Sequence, residues 1–503
     1  MMDHMNPILP LMVAIPLLMT VVTLLLSKIN KRIADYTAVF TTIATATLAF
    51  CLFGSDKQIY WVGGWFPPVG ITLVFDGLTG LMLLVVNVIA LFTMIYSISY
   101  MEKYTAKPRF YALFLLMLAG MNGVVVTGDL FNLFVFLEIA SIASYGLVGF
   151  GVEHEELEAS FKYLVLGTIG STMILLGITL VYAQTGTLNM ADAARMMQSL
   201  PVARTLAFAS GAFMMGFALK AGLVPFHAWL PDAHPSAPAP VSAMLSGVFI
   251  KAIGVYAMIR VFFDVFSPTP IILNILMVLG AISAIIGGFL ALGQWDMKRM
   301  FAYSSISQIG YIILAFGLGT NLGFVAGLFH LFNHSIFKSL LFLSSGSIEQ
   351  ATGTKNLRKL GGLSGKMPVT STTMMAGAFS ISGIPPFNGF FSKLLIILAC
   401  VQAQNWVLAV ITAGMSVVTL IYFLKAIRFS LFGDLPRQFD KIKEVPFPMA
   451  FSVIALAVLC LGVGIIYLVS PVFGDVLFQP AADVLMDGLR NNAAGFISTV
   501  LGG

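Results

Sequence analysis

Polar residues interrupt this chain at intervals that leave apolar runs of about 20 residues, each long enough to cross a bilayer as an α-helix. Their approximate limits are 7–27, 34–54, 74–99, 109–127, 129–150, 159–184, 205–230, 238–262, 272–292, 300–318, 322–346, 370–402, 405–430 and 447–471. The pattern predicts fourteen spanning helices, with very tight links at Gly128 and near Gly319. Lysines and arginines test this, because they accumulate in cytoplasmic loops. One set of alternate loops holds Lys28, Lys31, Arg32, Lys103, Lys107, Arg109, Lys298, Arg299, Lys355, Arg358, Lys359, Lys366, Lys425, Arg428, Arg437, Lys441 and Lys443, which is 17 of the 27 basic residues. The other set, with both tails, holds Lys57, Arg195, Arg204 and Arg490. That bias predicts fourteen spans with both termini outside.

Composition points to the same solvent. Of 503 residues 58% are hydrophobic and 10% charged, against about 25% charged in soluble domains. The net charge of +5 lies in short loops, so it predicts a lipid bilayer as partner and no nucleic acid. Cys51, Cys400 and Cys460 are far apart without CxxC spacing, which indicates neither a disulfide framework nor a metal or iron–sulfur site. No flavin, quinone or metal motif is present, so no cofactor is expected and the chain itself would do no redox chemistry. The run from Ile8 to about Ser27 has no basic region before it and is followed by KINKR; it reads as a spanning helix, not a cleaved leader.

Six basic residues remain inside spans: Lys162, Lys220, Lys251, Arg260, Lys338 and Lys393. Arg260 lies near the outer end of its span and is expected to snorkel. Among the acids, Glu138 alone is expected near the middle of a span, the fifth. A charge at the bilayer centre costs roughly 2.5–3.5 kcal/mol on insertion scales and usually marks an ion or proton path. A Glu138–Lys220 pair alone could serve packing only. Five lysines against one carboxylate leave cations without a counter-charge, which favours a path.

The stretch GFALKAGLVPFHAWLPDAHP, residues 216–235, places Lys220 just before Gly222 and Pro225. Gly222-Leu-Val-Pro-Phe-His227 aligns with Gly383-Ile-Pro-Pro-Phe-Asn388, and each segment has a lysine close by, Lys220 or Lys393. Ser160-Phe-Lys-Tyr-Leu164 echoes Ile336-Phe-Lys-Ser-Leu340 more faintly. Interrupted spans at matching places in two halves point to transporter repeats with the ion path between them. In FHLFNHSIFKSLL, His330, His334 and Lys338 recur every four residues and share one helix face. Histidines at i, i+4 can bind zinc, but no nearby carboxylate or thiol completes a set; no metal is assigned, and the stripe reads as a wet proton-exchanging file.

The runs KAGLVPFHAWLPDAHPSAPAPVSAMLSG, DMKRMFAYSSISQIGY, FHLFNHSIFKSLLFLSSG and SGIPPFNGFFSK resemble the proton-translocating membrane subunit family. It comprises antiporter-like subunits of respiratory complex I, membrane-bound hydrogenases and Mrp-type multisubunit cation/proton antiporters. The resemblance covers roughly residues 75–430. It implies an all-α polytopic fold of fourteen helices, with helices 4–8 (109–262) and 9–13 (263–432) as inverted repeats, helices 7 and 12 broken, helices 1–3 (1–108) before them, and helix 14 with a tail (433–503) after. It implies that Glu138, Lys220, Lys251, His330, His334, Lys338 and Lys393 form a chain along the membrane plane. Lysine at 393, where similar-length complex I subunits carry glutamate, and an end about 30 residues after helix 14 make the chain resemble the D-type branch of Mrp antiporters. Partners of Mrp A, B, C, E, F and G type, protons, and Na+ or another monovalent cation are then expected, in a bacterial plasma membrane.

In the mechanism this suggests, Glu138 and Lys220 are both ionised when close. On separation, or when a second cation approaches, Lys220 gives up its proton. Lys251, His334 and Lys338 relay, and Lys393 exchanges with one side of the membrane or a neighbouring subunit. Lys162 either joins the path or snorkels. His227, Asp232 and His234 form a cytoplasmic entrance or serve capping and loop packing. Three classes follow: a secondary antiporter subunit, a non-catalytic proton-pumping subunit of a redox complex, and a structural subunit with a vestigial path. The last would predict loss of the buried ionisable groups, which are present. Lys393 and the short C-terminus favour the first over the second.

Overall fold

Residues 7–199, 204–470 and 472–501 are described by the structure, a computed structural model. The chain ends, expected outside the membrane, lie outside the described residues. Among the described residues nineteen helices follow in order: α1 Ile8–Ser27, α2 Ile33–Leu52, α3 Gly77–Tyr100, α4 Lys107–Val126, α5 Leu130–Val148, α6 His154–Thr185, α7 Met190–Ser199, α8 Arg204–Ala221, α9 Leu230–Ser236, α10 over 239–265, α11 Pro270–Leu292, α12 Met297–Gly317, α13 Asn321–Thr352, α14 Pro368–Ser382, α15 Asn388–Gln402, α16 Trp406–Leu431, α17 Phe447–Val469, α18 Val472–Arg490 and α19 Ala494–Leu501. A small antiparallel hairpin, β1 Gln58–Trp61 and β2 Thr72–Phe75, pairs Gln58 with Phe75.

Among the described residues, ten helices (α1–α6, α11, α12, α16 and α17) are long and apolar enough to cross a membrane. The other four expected spans are the interrupted pairs α8/α9 and α14/α15, and the runs α10 and α13. α13 has the length, at 32 residues, but too many polar side chains to qualify. That polarity is tolerable because the helix is packed inside protein: His330, Asn333, His334 and Lys338 are all fully buried. α10 is buried along its whole length and widens into π-helix over Leu245–Tyr256 and Val261–Val265.

Several acids start helices. The carboxylates of Asp76, Asp129 and Asp296 accept the backbone N–H of Thr79 (2.9 Å), Asn132 (2.7 Å) and Arg299 (2.9 Å) at the first turns of α3, α5 and α12. Each satisfies a donor the helix cannot satisfy itself, which lipid would punish.

Two further elements echo one another. Thr185-Gly-Thr-Leu-Asn189 follows α6 and Thr352-Gly-Thr-Lys-Asn356 follows α13. In the first, Leu130 N–H donates to Leu188 O (2.8 Å) and Met190 N–H to Gly128 O (2.9 Å). In the second, Met297 N–H donates to Lys355 O and Leu357 N–H to Trp295 O, both 2.9 Å. Asp129 thus pairs with Asn189 and Asp296 with Asn356. Five spans separate the two hairpins, an odd number, so they close opposite ends of the bundle.

Both helix breaks share one backbone solution. Gly222 (φ +70°) and Gly383 (φ +78°) occupy the left-handed position. Leu223 N–H donates to Ala218 O (2.9 Å) and Gly222 N–H to Leu219 O (3.1 Å); Ile384 N–H donates to Phe379 O and Gly383 N–H to Ser380 O, both 3.0 Å. These are Schellman pairs, which satisfy the last carbonyls of a helix that must stop.

Candidate functional site: a buried file of ionisable groups

The first break brings Lys220 to α5. Its amine lies 3.6 Å from Glu138 Oε1 and donates to Ser141 Oγ (3.0 Å) and Tyr145 Oη (3.5 Å). Lys220 is 2% exposed and Glu138 26%, so the carboxylate opens toward the surface of the chain while the amine faces inward. Ser171 on α6 also donates to Glu138. Below the pair, Tyr145 meets Tyr163 edge-on (4.6 Å), and Tyr163 stacks on Trp229 (4.2 Å). The indole N–H of Trp229 donates to Leu219 O (3.0 Å), which stitches the far side of the break back onto α8.

α8 ends directly against α10: a Cβ at Gly254 would stand 2.6 Å from Ala221 Cα. Ala221 follows Lys220, and Gly254 lies one turn beyond Lys251. The Lys251 amine folds back on its own helix, donating to Ser246 O (2.6 Å) and Gly247 O (2.5 Å). From here α12 supplies a stripe of neutral polar groups. Ser246 Oγ bonds Ser305 Oγ (2.7 Å), the adjacent Ser304 accepts from Lys338, and Gln308 Oε1 lies 3.1 Å from His330 Nε2. Lys338 also donates to Phe301 O (2.6 Å). His330 Nδ1 reaches Ser392 Oγ on α15 (3.0 Å), and the next residue is Lys393. His334, 6.3 Å from His330 ring to ring, has no hydrogen-bond partner among the described residues. Lys393 is 2% exposed, and its amine has no such partner either; it sits 5.1 Å above the Tyr311 ring. The structure thus places six residues of the expected chain in one bundle interior, with Glu138, partly exposed, at its edge. The scaffold that links them, Ser304, Ser305 and Gln308, is not anticipated from the sequence, although SSISQ lies inside a motif that carries the resemblance. Asn388 is likewise unanticipated: it accepts from Ser380 and exchanges bonds with Asn333 (2.8 and 3.0 Å), tying the second break to α13.

At the basic-loop end the second set of candidates separates. Asp232 pairs with Arg299 (3.1 Å) and Lys162 (3.3 Å), and Lys162 also with Glu158 (2.8 Å). These line a polar cleft of about 540 Å3 with Glu155, Asp296 and Lys355. Lys162 is half exposed in this cleft, away from the buried file. The carboxyl of Asp296 there is pushed up from its usual range by burial, with Lys355 pulling the other way. His234 is fully buried and stacks on Phe342 (4.9 Å), whose ring also faces the Lys338 amine (5.7 Å). His227 is half-buried. A pair that the sequence does not mark lies nearby: Lys298, counted with the loops, is 2% exposed and bound to Glu349 at 2.5 Å.

One expectation is overturned. Arg260 does not snorkel; it is 3% exposed and holds Asp76 and Asp264 at 2.7 Å each, with Tyr256 and Thr79 as further partners. Asp264 is one turn away on α10, and Asp76 arrives from the start of α3. Two carboxylates in reach satisfy the guanidinium better than a stretch to the interface would. Asp76 and Asp264 are thus buried acids at helix ends, while Glu138 keeps its place within a span.

The fold has counterparts. Residues 127–419 match the family described as "NADH:quinone oxidoreductase/Mrp antiporter, TM", and residues 65–111 match "NADH-Ubiquinone oxidoreductase (complex I), chain 5 N-terminus". The chain is 35% identical over 476 residues to the N-type subunit of the NADH-quinone oxidoreductase of Desulforudis audaxviator, covering 91% of this chain and 94% of that one. It is 30% identical over 487 residues to the D-type subunit of the Na(+)/H(+) antiporter of Alkalihalophilus pseudofirmus, covering 96% and 98%. The solved Mrp complex from Dietzia sp. contains a chain that superposes with a TM-score of 0.89 at 28% identity, covering 98% of this chain and 99% of that one. The chain is a non-catalytic, antiporter-like membrane subunit, and it belongs to the NADH:quinone oxidoreductase/Mrp antiporter transmembrane family.

Proposed function

We propose that this chain conducts protons as the D-type subunit of a multisubunit Na+/H+ antiporter, in the cell membrane, with both termini outside and with partners of Mrp A, B, C, E, F and G type. Protons would pass along Glu138, Lys220, Lys251, Lys338, His334, His330 and Lys393. The repeats would run over 109–262 and 263–432. The observation that carries the reading is the buried file. Five buried titratable groups, Lys251, Lys338, His334, His330 and Lys393, lie beyond the Glu138–Lys220 pair, and among the described residues no carboxylate pairs with any of them. A structural ion-pair network would have matched its charges.

In this reading the 3.6 Å pair is the switch. Closed, it holds Lys220 protonated. Opened, Lys220 loses its counter-charge and passes a proton toward α10. Ser141 and Tyr145 hold the amine in the interval. The polar cleft around Asp232 and Lys162, with His227 and His234 behind it, would be the entrance.

The test uses everted vesicles from cells expressing the whole surrounding gene cluster, with a pH gradient set by ATP hydrolysis and neither NADH nor hydrogen present. Sodium should collapse the gradient, read by a pH-sensitive dye, and Glu138→Ala and Lys220→Ala should each abolish the collapse. A Lys220→Ala complex that assembles and still transports would end the proposed path. The 35% identity to an N-type oxidoreductase subunit keeps a second reading open, redox-driven pumping through the same file. An assembled wild type that ignores sodium but pumps protons with an electron donor would select it.

A further inference from the structure

A groove of about 640 Å3 runs between α14 and α17, away from the ionisable file. Its walls include Pro368, Thr372, Ala376, Phe379, Val458 and Leu461. The nearby hydroxyls are spent on their own helix, Thr372 Oγ1 on Pro368 O (2.8 Å) and Thr373 Oγ1 on Val369 O (2.9 Å), so the walls present hydrocarbon. Its volume falls within the roughly 300–1,000 Å3 of ligand pockets. Ile454 and Val458 remain 43% and 62% exposed along it.

The mouth is different. Glu444 ties the loop before α17 to the first turn of α14, accepting from Val369 N–H (2.7 Å), Thr370 N–H (3.2 Å) and Thr370 Oγ1 (2.5 Å), and also from Val445 N–H (3.1 Å). Its charge is thus taken up by the end of a helix. Lys366 lies two residues before Pro368 of the groove wall, Lys443 directly precedes Glu444 and Lys441 stands three residues before it; all three are exposed, with Arg437, Asp434 and Asp440 in the same loop. An apolar slot in a spanning helix pair, opening on a basic mouth, matches one chemistry: a hydrocarbon chain bearing an anionic head.

We propose that this groove holds an acyl chain of an anionic phospholipid whose phosphate is held by Lys366, Lys441 and Lys443. The chain would lie against Phe379 and Phe387, whose rings face each other at 6.2 Å from the two sides of the second helix break. Ser380 and Asn388, the next residues in from each ring, bond across the same break. The inference stands apart from the proton-path proposal, since it concerns neither file residues nor sodium.

The experiment uses the whole assembled complex reconstituted with a phosphatidylglycerol carrying a photoreactive acyl chain, or with the phosphatidylcholine equivalent. After illumination, adducts are mapped by peptide mass spectrometry. The phosphatidylglycerol probe should label 368–379 and 454–461, and the phosphatidylcholine probe at least five-fold less. Each lysine near an anionic lipid surface contributes about five-fold in affinity, so Lys366→Gln with Lys441→Gln and Lys443→Gln should remove most of the labelling. Ala376→Trp should block it from within the groove; if that variant fails to assemble, the exposed lysine variants still decide. Equal labelling by both probes, or labelling unchanged in the triple variant, would overturn the proposal in favour of ordinary solvating lipid. No adduct in 368–379 and 454–461 from either probe would overturn it in favour of a groove covered by a partner polypeptide.

Discussion

Lys393 and Lys338 are both buried amines in the same file, yet the structure holds them differently, and replacing each by methionine should move stability in opposite directions. Methionine keeps the length and the apolar stem while removing the charge. Taking a lysine charge out of a membrane centre relieves roughly 2.5–3.5 kcal/mol on insertion scales. At Lys393 the offset is one cation–π contact, 5.1 Å to Tyr311, worth about 2 kcal/mol when desolvated. Lys393→Met should therefore stabilise by about 1 kcal/mol. At Lys338 two charge-assisted hydrogen bonds, to Phe301 O and Ser304, are lost. At about 1.5–3 kcal/mol each, they outweigh the relief, and Lys338→Met should destabilise by about 1–2 kcal/mol. Unfolding of such a complex is irreversible, so stability is read kinetically: the fraction of intact complex after heating, by fluorescence-detected size exclusion. Both variants should lose sodium-driven proton exchange. If Lys393→Met falls as far as Lys338→Met, its amine is held by groups other than Tyr311 and the reasoning fails. If it transports normally, Lys393 leaves the path.

Three further outcomes follow from the same geometry. Arg260→Met strands Asp76 and Asp264 without their shared cation and should cost about 3–5 kcal/mol, seen as loss of assembled complex at growth temperature. Gly222→Ala should cost more than Gly186→Ala in the heating assay: both sit at φ near +70°, worth roughly 1–2 kcal/mol, but a Cβ at 222 would meet Leu230 Cδ1 at 2.6 Å while 186 has open space. Trp229→Phe removes one of the two hydrogen bonds that Leu219 O accepts in the buried break, the other coming from Gly222 N–H, and should cost about 0.5–1.5 kcal/mol in the same assay.

The spans were legible because lipid leaves the chain little freedom: a helix must be long and its backbone self-satisfied. The breaks were legible through glycine and proline, and the charged file through the cost of burying it. What escaped lies in long-range pairing. Nothing local says that Asp76 will meet Arg260, although Asp264 at i+4 was visible in the sequence. Lys298 looked like a loop residue because its partner Glu349 ends a helix 51 positions on. The paired Thr-Gly-Thr hairpins were readable but hold no proline, and Lys355 in the second counted only as a loop charge, so attention to breaks and buried lysines passed over them. The serines of α12 escaped for a related reason. In a membrane helix serine is unremarked until its partner is known, and here the partners are Lys338 and Ser246 on other helices.

Those serines bear on how the proposed path would work. Of the lysines in the file, Lys220 alone faces a carboxylate among the described residues; Lys251 and Lys338 are held by carbonyls and a hydroxyl, which accept a hydrogen bond but cancel no charge. Two like charges about 10 Å apart repel by about 1.7 kcal/mol at an effective dielectric of about 20. A proton on one amine therefore weakens the hold of the next. The neutral scaffold lets that repulsion act, where acidic partners would quench it and trap each proton in place. The scaffold still has to keep the amines within exchange distance. Removing its hydrogen bonds should slow exchange without unbalancing charge. Ser304→Ala together with Gln308→Leu should lower the sodium-driven rate about tenfold per lost bond, taking each at about 1.4 kcal/mol in the barrier, while assembly is kept. Ser304→Asp should lower it further, by pinning Lys338 to a counter-charge. If the aspartate variant matches or exceeds the wild type, charge neutrality of the scaffold is not what keeps the protons moving.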